Sequence, residues 1–178
     1  MSKCTTLSLA LSACLSLVPC SNNASEATPA LGTPVSQSQL SEFDLIVSPE
    51  GAGLPAGQGT AAQGEVVFQA RCQACHGAGG EGLSAATVLV GGSMQSEGPP
   101  LRTVGSYWPH ATTVFDFIRR AMPADAPKSL SDTEVYQVTA YVLFLNGIVE
   151  RDQVLDASSL PSISMPNRDG FIDQSDIQ

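Results

Sequence analysis

Cys72-Gln73-Ala74-Cys75-His76 is the stretch on which the reading of this chain turns. Two thiols three residues apart can reach two vinyl groups on one side of a porphyrin. The residue that follows can then aim an imidazole at the iron. Covalent attachment of this kind holds a cofactor in a domain too small to bury it by packing alone. Two other chemistries use similar spacings. A structural zinc site needs four ligands, and the only other imidazole is His110. A thioredoxin-like dithiol follows a strand, whereas here Gly64, Val67, Phe68 and Arg71 recur at helical spacing. The expectation is therefore one covalent haem c, with Cys72 and Cys75 as thioethers and His76 as an iron ligand.

Outward from the motif, the remaining cysteines fall away from it. Cys4, Cys14 and Cys20 lie in residues 1–27, which read as an export leader: Lys3 gives a short basic start, and an apolar run too short to span a bilayer follows. Leu11-Ser12-Ala13-Cys14 has the form of a lipoprotein box, Leu17-Val18-Pro19-Cys20 less so, and cleavage after Ala27 competes with both. A lipid anchor and a soluble periplasmic form both stand. Residues 28–59 are rich in Ser, Pro, Gly and Gln, with one apolar knot at Phe43, Leu45 and Ile46, and read as an extended strap. Residues 60–148 form the haem domain, and 149–178 a polar extension with no strong period.

Within the domain three helices are expected. The first runs into Cys72. The second spans 112–121, with Val114, Phe117, Ile118 and Ala121 on one face. The third opens on a capping box, Ser131 with Glu134, carries Val135, Val138, Tyr141, Val142 and Leu145 as its stripe, and stops at Asn146-Gly147. The fold class is all-α, three to four helices around one haem.

The 178-residue chain carries 43% hydrophobic but only 6% aromatic residues, with 12 Pro and 16 Gly. A bound macrocycle supplies apolar interior that such a composition lacks. The net charge of -9 argues against a nucleic-acid partner, since phosphate needs Lys and Arg to neutralise it. It favours steering toward a basic protein surface.

The order of helix, CxxCH, Gly-rich loop, Met-Pro and capped helix resembles class I cytochromes c. The resemblance implies that Gly64 and Phe68 cross the last helix at Tyr141, and that Met122, before Pro123, is the second axial ligand. Met165-Pro166 is its main competitor, with Met94 and His110 as further candidates. It also implies a Pro carbonyl as acceptor for the second nitrogen of His76. Here Thr87 stands where Pro is usual, and Gly98-Pro99-Pro100-Leu101 fits better but lies far along, so the acceptor is left open. Tyr107 and Trp108 are candidate haem-edge residues, donors to propionates or core aromatics with polar ends.

A narrower resemblance rests on Gly105-Ser106-Tyr107-Trp108-Pro109, on Ala111 through Pro123, on Leu145-Asn146-Gly147-Ile148 and on Met165-Pro166-Asn167-Arg168-Asp169-Gly170-Phe171. These segments look like the cytochrome subunits paired with molybdenum sulfite dehydrogenases and with the Sox sulfane dehydrogenase. Such a protein would accept electrons from the molybdenum subunit and pass them singly to a downstream cytochrome c, as a subunit rather than a catalyst alone. The competing reading is a haem enzyme or sensor with an open iron position.

Overall fold

The computed structural model describes residues 32–41, 43–84, 87–93, 95 and 101–171. The leader, Met94, the Gly98-Pro99-Pro100 stretch and residues 172–178 lie outside these. The chain divides into two units, Met1–Val35 and Ser36–Gln178, and the second holds the elements below.

After a short helix α1 (Gln37–Ser41), the frame consists of α2 (Ala61–Arg71), the one-turn α3 (Gln73–His76), α4 (Val104–Tyr107), α5 (Ala111–Ala121) and α6 (Asp132–Leu145). Each long helix starts or stops for a local reason. At α2 the Thr60 hydroxyl accepts from the Gln63 N–H, and the Gln63 side chain accepts from the Thr60 N–H. Ser131 and Glu134 make the same reciprocal pair at α6, as the sequence predicts, and satisfy donors with no partner inside the helix. Gly147, at φ +68°, ends α6 in the left-handed conformation that glycine adopts without penalty.

The crossing of α2 and α6 is the centre of the core. Gly64 is buried there, and a Cβ at this position would overlap the Gln137 carbonyl of α6. Phe68 packs on Tyr141 with ring centroids 5.1 Å apart. The crossing expected of Gly64, Phe68 and Tyr141 is present.

Helix α5 is amphipathic, and beside its core face part of its polar side is covered as well. Val114, Phe115 and Ile118 point into the core. The opposite side meets the chain before α2 through backbone groups. Asp116, 7% exposed, accepts the Val47 N–H at 2.9 Å; Thr112 donates to the Pro49 carbonyl at 2.9 Å and Arg119 to the Leu45 carbonyl at 3.3 Å. Val47 is buried, whereas Phe43 and Ile46 are exposed.

The segment after α6 is part of the core. Strand β1 (Gln58–Gly59) pairs antiparallel with β2 (Leu155–Asp156). Leu155, Leu160, Ile163 and Met165 are buried, and Asn167 donates to the Tyr107 carbonyl at 2.7 Å. Single anchors separated by turns carry no helical or strand period, which is why the sequence shows none here. Asn146, at the end of α6, accepts the Gly105 N–H and donates to the carbonyls of Leu89 and Val142. It thereby fixes the loop after the CxxCH motif to two helices.

Candidate functional site

Helix α2 ends at Cys72, whose N–H still bonds to the Phe68 carbonyl. The chain then turns at once into α3, where the N–H groups of Cys75 and His76 both reach the Cys72 carbonyl, at 3.1 and 3.0 Å. Gly77, at φ +78°, closes the turn. One tight helical turn thus presents both thiols and the imidazole together. Cys72 is half-buried and Cys75 exposed. Burial pushes the Cys72 thiol up to about 11, with the Arg71 guanidinium working against it.

These three residues open onto a cavity of about 450 Å³. Its walls come from well-separated parts of the chain: Phe68 and Arg71 of α2, Leu89 and Val104, Trp108, Val114 and Ile118 of α5, Val138 and Val142 of α6, and Met122 with Pro123 beyond α5. The lining is mostly apolar, with a few converging polar groups, the character of a cofactor site. Phe117, 41% exposed, stands in the wall and packs on Trp108 at 5.7 Å.

The His76 ring is held from behind. Its Nδ1 lies 2.6 Å from the Thr87 carbonyl oxygen. A carbonyl can only accept, so Nδ1 carries the proton, and the Nε2 lone pair is left for a metal. The acceptor that the sequence left open is Thr87 itself. Thr87 is the position the family pattern points to, left open because Thr stands there in place of the usual Pro; the role falls to its main-chain oxygen, a group that does not depend on residue type.

Met122 caps the C-terminus of α5, its N–H bonded to the Ile118 carbonyl at 3.1 Å, and its half-buried side chain lines the cavity. The loop behind it is tied to α2 by Arg71, which donates to the Ser129 hydroxyl at 2.5 Å. Met165 is 2% exposed, in the core away from the cavity wall. His110 caps the start of α5, and its buried Nδ1 makes no hydrogen bond among the described residues. Trp108 lines the cavity, but Tyr107 does not. Its ring lies against Phe171 at 5.4 Å, with the Arg102 guanidinium 5.2 Å from its centroid. Among the described residues no group of three or more His, Cys, Asp and Glu is placed to hold a metal ion.

Paired thiols and an imidazole on one turn, facing an apolar chamber walled by four helices, define a c-type cytochrome domain. Comparison with known proteins agrees. Residues 59–142 match the family described as cytochrome c oxidase, cbb3-type, subunit III. The sulfane dehydrogenase SoxCD from Paracoccus pantotrophus is similar in structure, with a TM-score of 0.76 and 37% identity, covering 84% of this chain and 75% of that one. Over 83 residues the chain is 39% identical to the thiosulfate dehydrogenase of Allochromatium vinosum; the match covers 45% of this chain and only 29% of that protein. The chain belongs to the c-type cytochromes, is similar to the sulfane dehydrogenase SoxCD, and carries one covalently bound haem c. No helix among the described residues is long and apolar enough to cross a membrane.

Proposed function

We propose that this cytochrome takes single electrons from a molybdenum-containing sulfite- or sulfane-oxidising subunit and passes them to a downstream cytochrome c. The thiols of Cys72 and Cys75 would form the thioethers that tether the haem, and His76 and Met122 would hold its iron. The haem supplies a one-electron couple, which an imidazole–thioether pair moves toward higher potential than two imidazoles would. The chain's own residues hold and shield it. Thr87 keeps the His76 proton on Nδ1. Val114, Ile118, Val138 and Val142 exclude water from the chamber. Trp108 stands at its edge, and Tyr107 supports Trp108 from outside, their rings 6.4 Å apart.

The observation that carries the electron-transfer reading is the arrival of His76 and Met122 at one apolar cavity, while Met165 is buried elsewhere. With both side chains holding the iron no position would be left for a substrate or gas, which would suit electron transfer rather than an enzyme or sensor. Export to the periplasm fits a leader of the kind read in residues 1–27.

The test is reconstitution with the co-expressed molybdenum subunit, following haem reduction by stopped flow after adding sulfite or a sulfane-sulfur carrier. Reduction only when both subunits are present is the expected result. No reduction with both cofactors loaded refutes the partner assignment. In the ferric protein, Met122→Ala is expected to abolish the weak near-infrared sulfur-to-iron band. If Met165→Ala does so instead, the ligand assignment is wrong.

A further inference from the structure

Residues behind His76 form a closed circuit of hydrogen bonds. The Gly82 N–H donates to the His76 carbonyl at 2.7 Å, and the Leu83 N–H reaches the Cys75 carbonyl at 3.4 Å. The loop therefore starts from the backbone of the motif. It returns to the motif through Thr87, whose carbonyl meets the His76 ring nitrogen at 2.6 Å. Between these points the Thr87 side chain acts as the brace. Its Oγ1 accepts the N–H groups of Leu83 and Ser84, at 3.0 and 3.1 Å, and donates to the Ser84 carbonyl at 3.1 Å. Both acceptor positions and the one proton of the hydroxyl are thus used. The Thr87 N–H adds a bond to the same Ser84 carbonyl at 3.0 Å.

We propose that Thr87 is a positioning residue: its hydroxyl fixes the direction of its own carbonyl against His76, and so sets how strongly that imidazole donates to the haem iron. The inference rests on the reading of His76 as a ligand. Proline would stiffen such a position through its ring, by locking φ. Threonine leaves φ free and supplies stiffness through three hydrogen bonds made within the loop. A well-aligned acceptor at Nδ1–H increases the basicity of the opposite nitrogen. A more basic ligand favours ferric over ferrous iron, so the intact brace holds the reduction potential down.

Thr87→Val removes the hydroxyl at nearly constant shape, and Thr87→Ser restores it. In the haem-loaded full chain, Thr87→Val is expected to raise the midpoint potential in a spectroelectrochemical titration. The same change should speed hydrogen exchange at His76 Nδ1–H, followed by NMR of the ferrous protein, by about five- to tenfold, the loss of roughly one net hydrogen bond. Thr87→Ser is expected to return both readouts to the wild-type values. A merely structural role for the hydroxyl would lower thermal stability and leave potential and exchange where they were; that result overturns the proposal, as does Thr87→Ser behaving like Thr87→Val. Should Thr87→Val fail to load haem, Thr87→Ala carries the same test with the same signs. His76→Ala separates the two levels of inference. A low-spin ferric spectrum unchanged in that variant would refute the ligand reading itself, whatever the Thr87 variants do.

Discussion

Replacing Gly64 by alanine sets two ordinary effects against each other, and the structure says which wins. By helix propensity alone, Gly→Ala inside α2 stabilises by about 1 kcal/mol. Packing opposes it. The added Cβ would lie 2.5 Å from the Gln137 carbonyl carbon and 2.9 Å from Tyr141 Cβ, and would overlap the Gln137 oxygen. These are backbone and first side-chain atoms of α6, so no rotamer change relieves the contact. The helices must separate by roughly 1 Å to reach van der Waals distance. That shift loosens the Phe68–Tyr141 contact and carries Cys72, one turn beyond Phe68, away from the α6 wall of the cavity. Overpacking that side chains cannot absorb costs about 3 kcal/mol, which leaves a net loss of about 2 kcal/mol. For a unit of this size the melting temperature should fall by about 6–10 °C. Thermal unfolding of the haem-loaded protein, followed at the haem band and by far-ultraviolet circular dichroism, measures it. A variant as stable as wild type, or more so, would refute the close crossing and leave propensity as the governing term.

Other outcomes follow from the same geometry. Asp116→Ala should destabilise by about 3 kcal/mol in chemical denaturation, because the buried Val47 N–H loses its acceptor and Arg120 its bidentate partner; a loss under 1 kcal/mol would mean the strap is not held through this carboxylate. Removing the Arg71–Ser129 tie with Arg71→Met should speed carbon monoxide binding to the ferrous protein several-fold while costing under about 1 kcal/mol of stability, as expected of an exposed contact; unchanged binding would show that the loop bearing Met122 needs no latch. The Asp156 carboxylate is held at about 2, below its ordinary 3.8, first by the Ser158 hydroxyl and then by the N–H groups of Ser159 and Ser158. A depressed folded-state value means this contribution is present above 3.8 and lost as pH falls through about 2. Asp156→Asn should therefore flatten the acid limb of the stability curve in that window, and an unaltered limb would contradict the assignment. Electron transfer to a basic acceptor should slow as salt rises, given the net charge of -9; a rate independent of ionic strength would remove charge steering from the account.

Much of the site was legible because its chemistry lies in residue types at fixed local spacing. The CxxCH pentapeptide, the Ser131–Glu134 cap, the α6 stripe and the Met122–Pro123 step each span one or two turns, and local periodicity and capping are what a single sequence encodes most directly. That is why Cys72, Cys75, His76, Met122 and Trp108 could be named before any coordinates, and the fold gathers all five at one cavity. Other features were not legible, for a common reason. The acceptor behind His76 is a main-chain oxygen, a group that every residue possesses. The strap bonds to α5 through the backbone of Leu45, Val47 and Pro49, so its side chains give no hint that part of the polar face of α5 is covered. Leu155, Leu160, Ile163 and Met165 enter the core one at a time from turns, without the repetition that marks a helix or strand. The sequence names Met122 ahead of Met165, and Tyr107 alongside Trp108, but the spacing of these residues does not say which of the four side chains lines the cavity. The crossing of α2 over α6 at Gly64 and the return of the C-terminal segment onto β1 made those choices: which side chain faces the cavity depends on the direction in which packed elements meet, and that direction exists only once the chain has closed on itself.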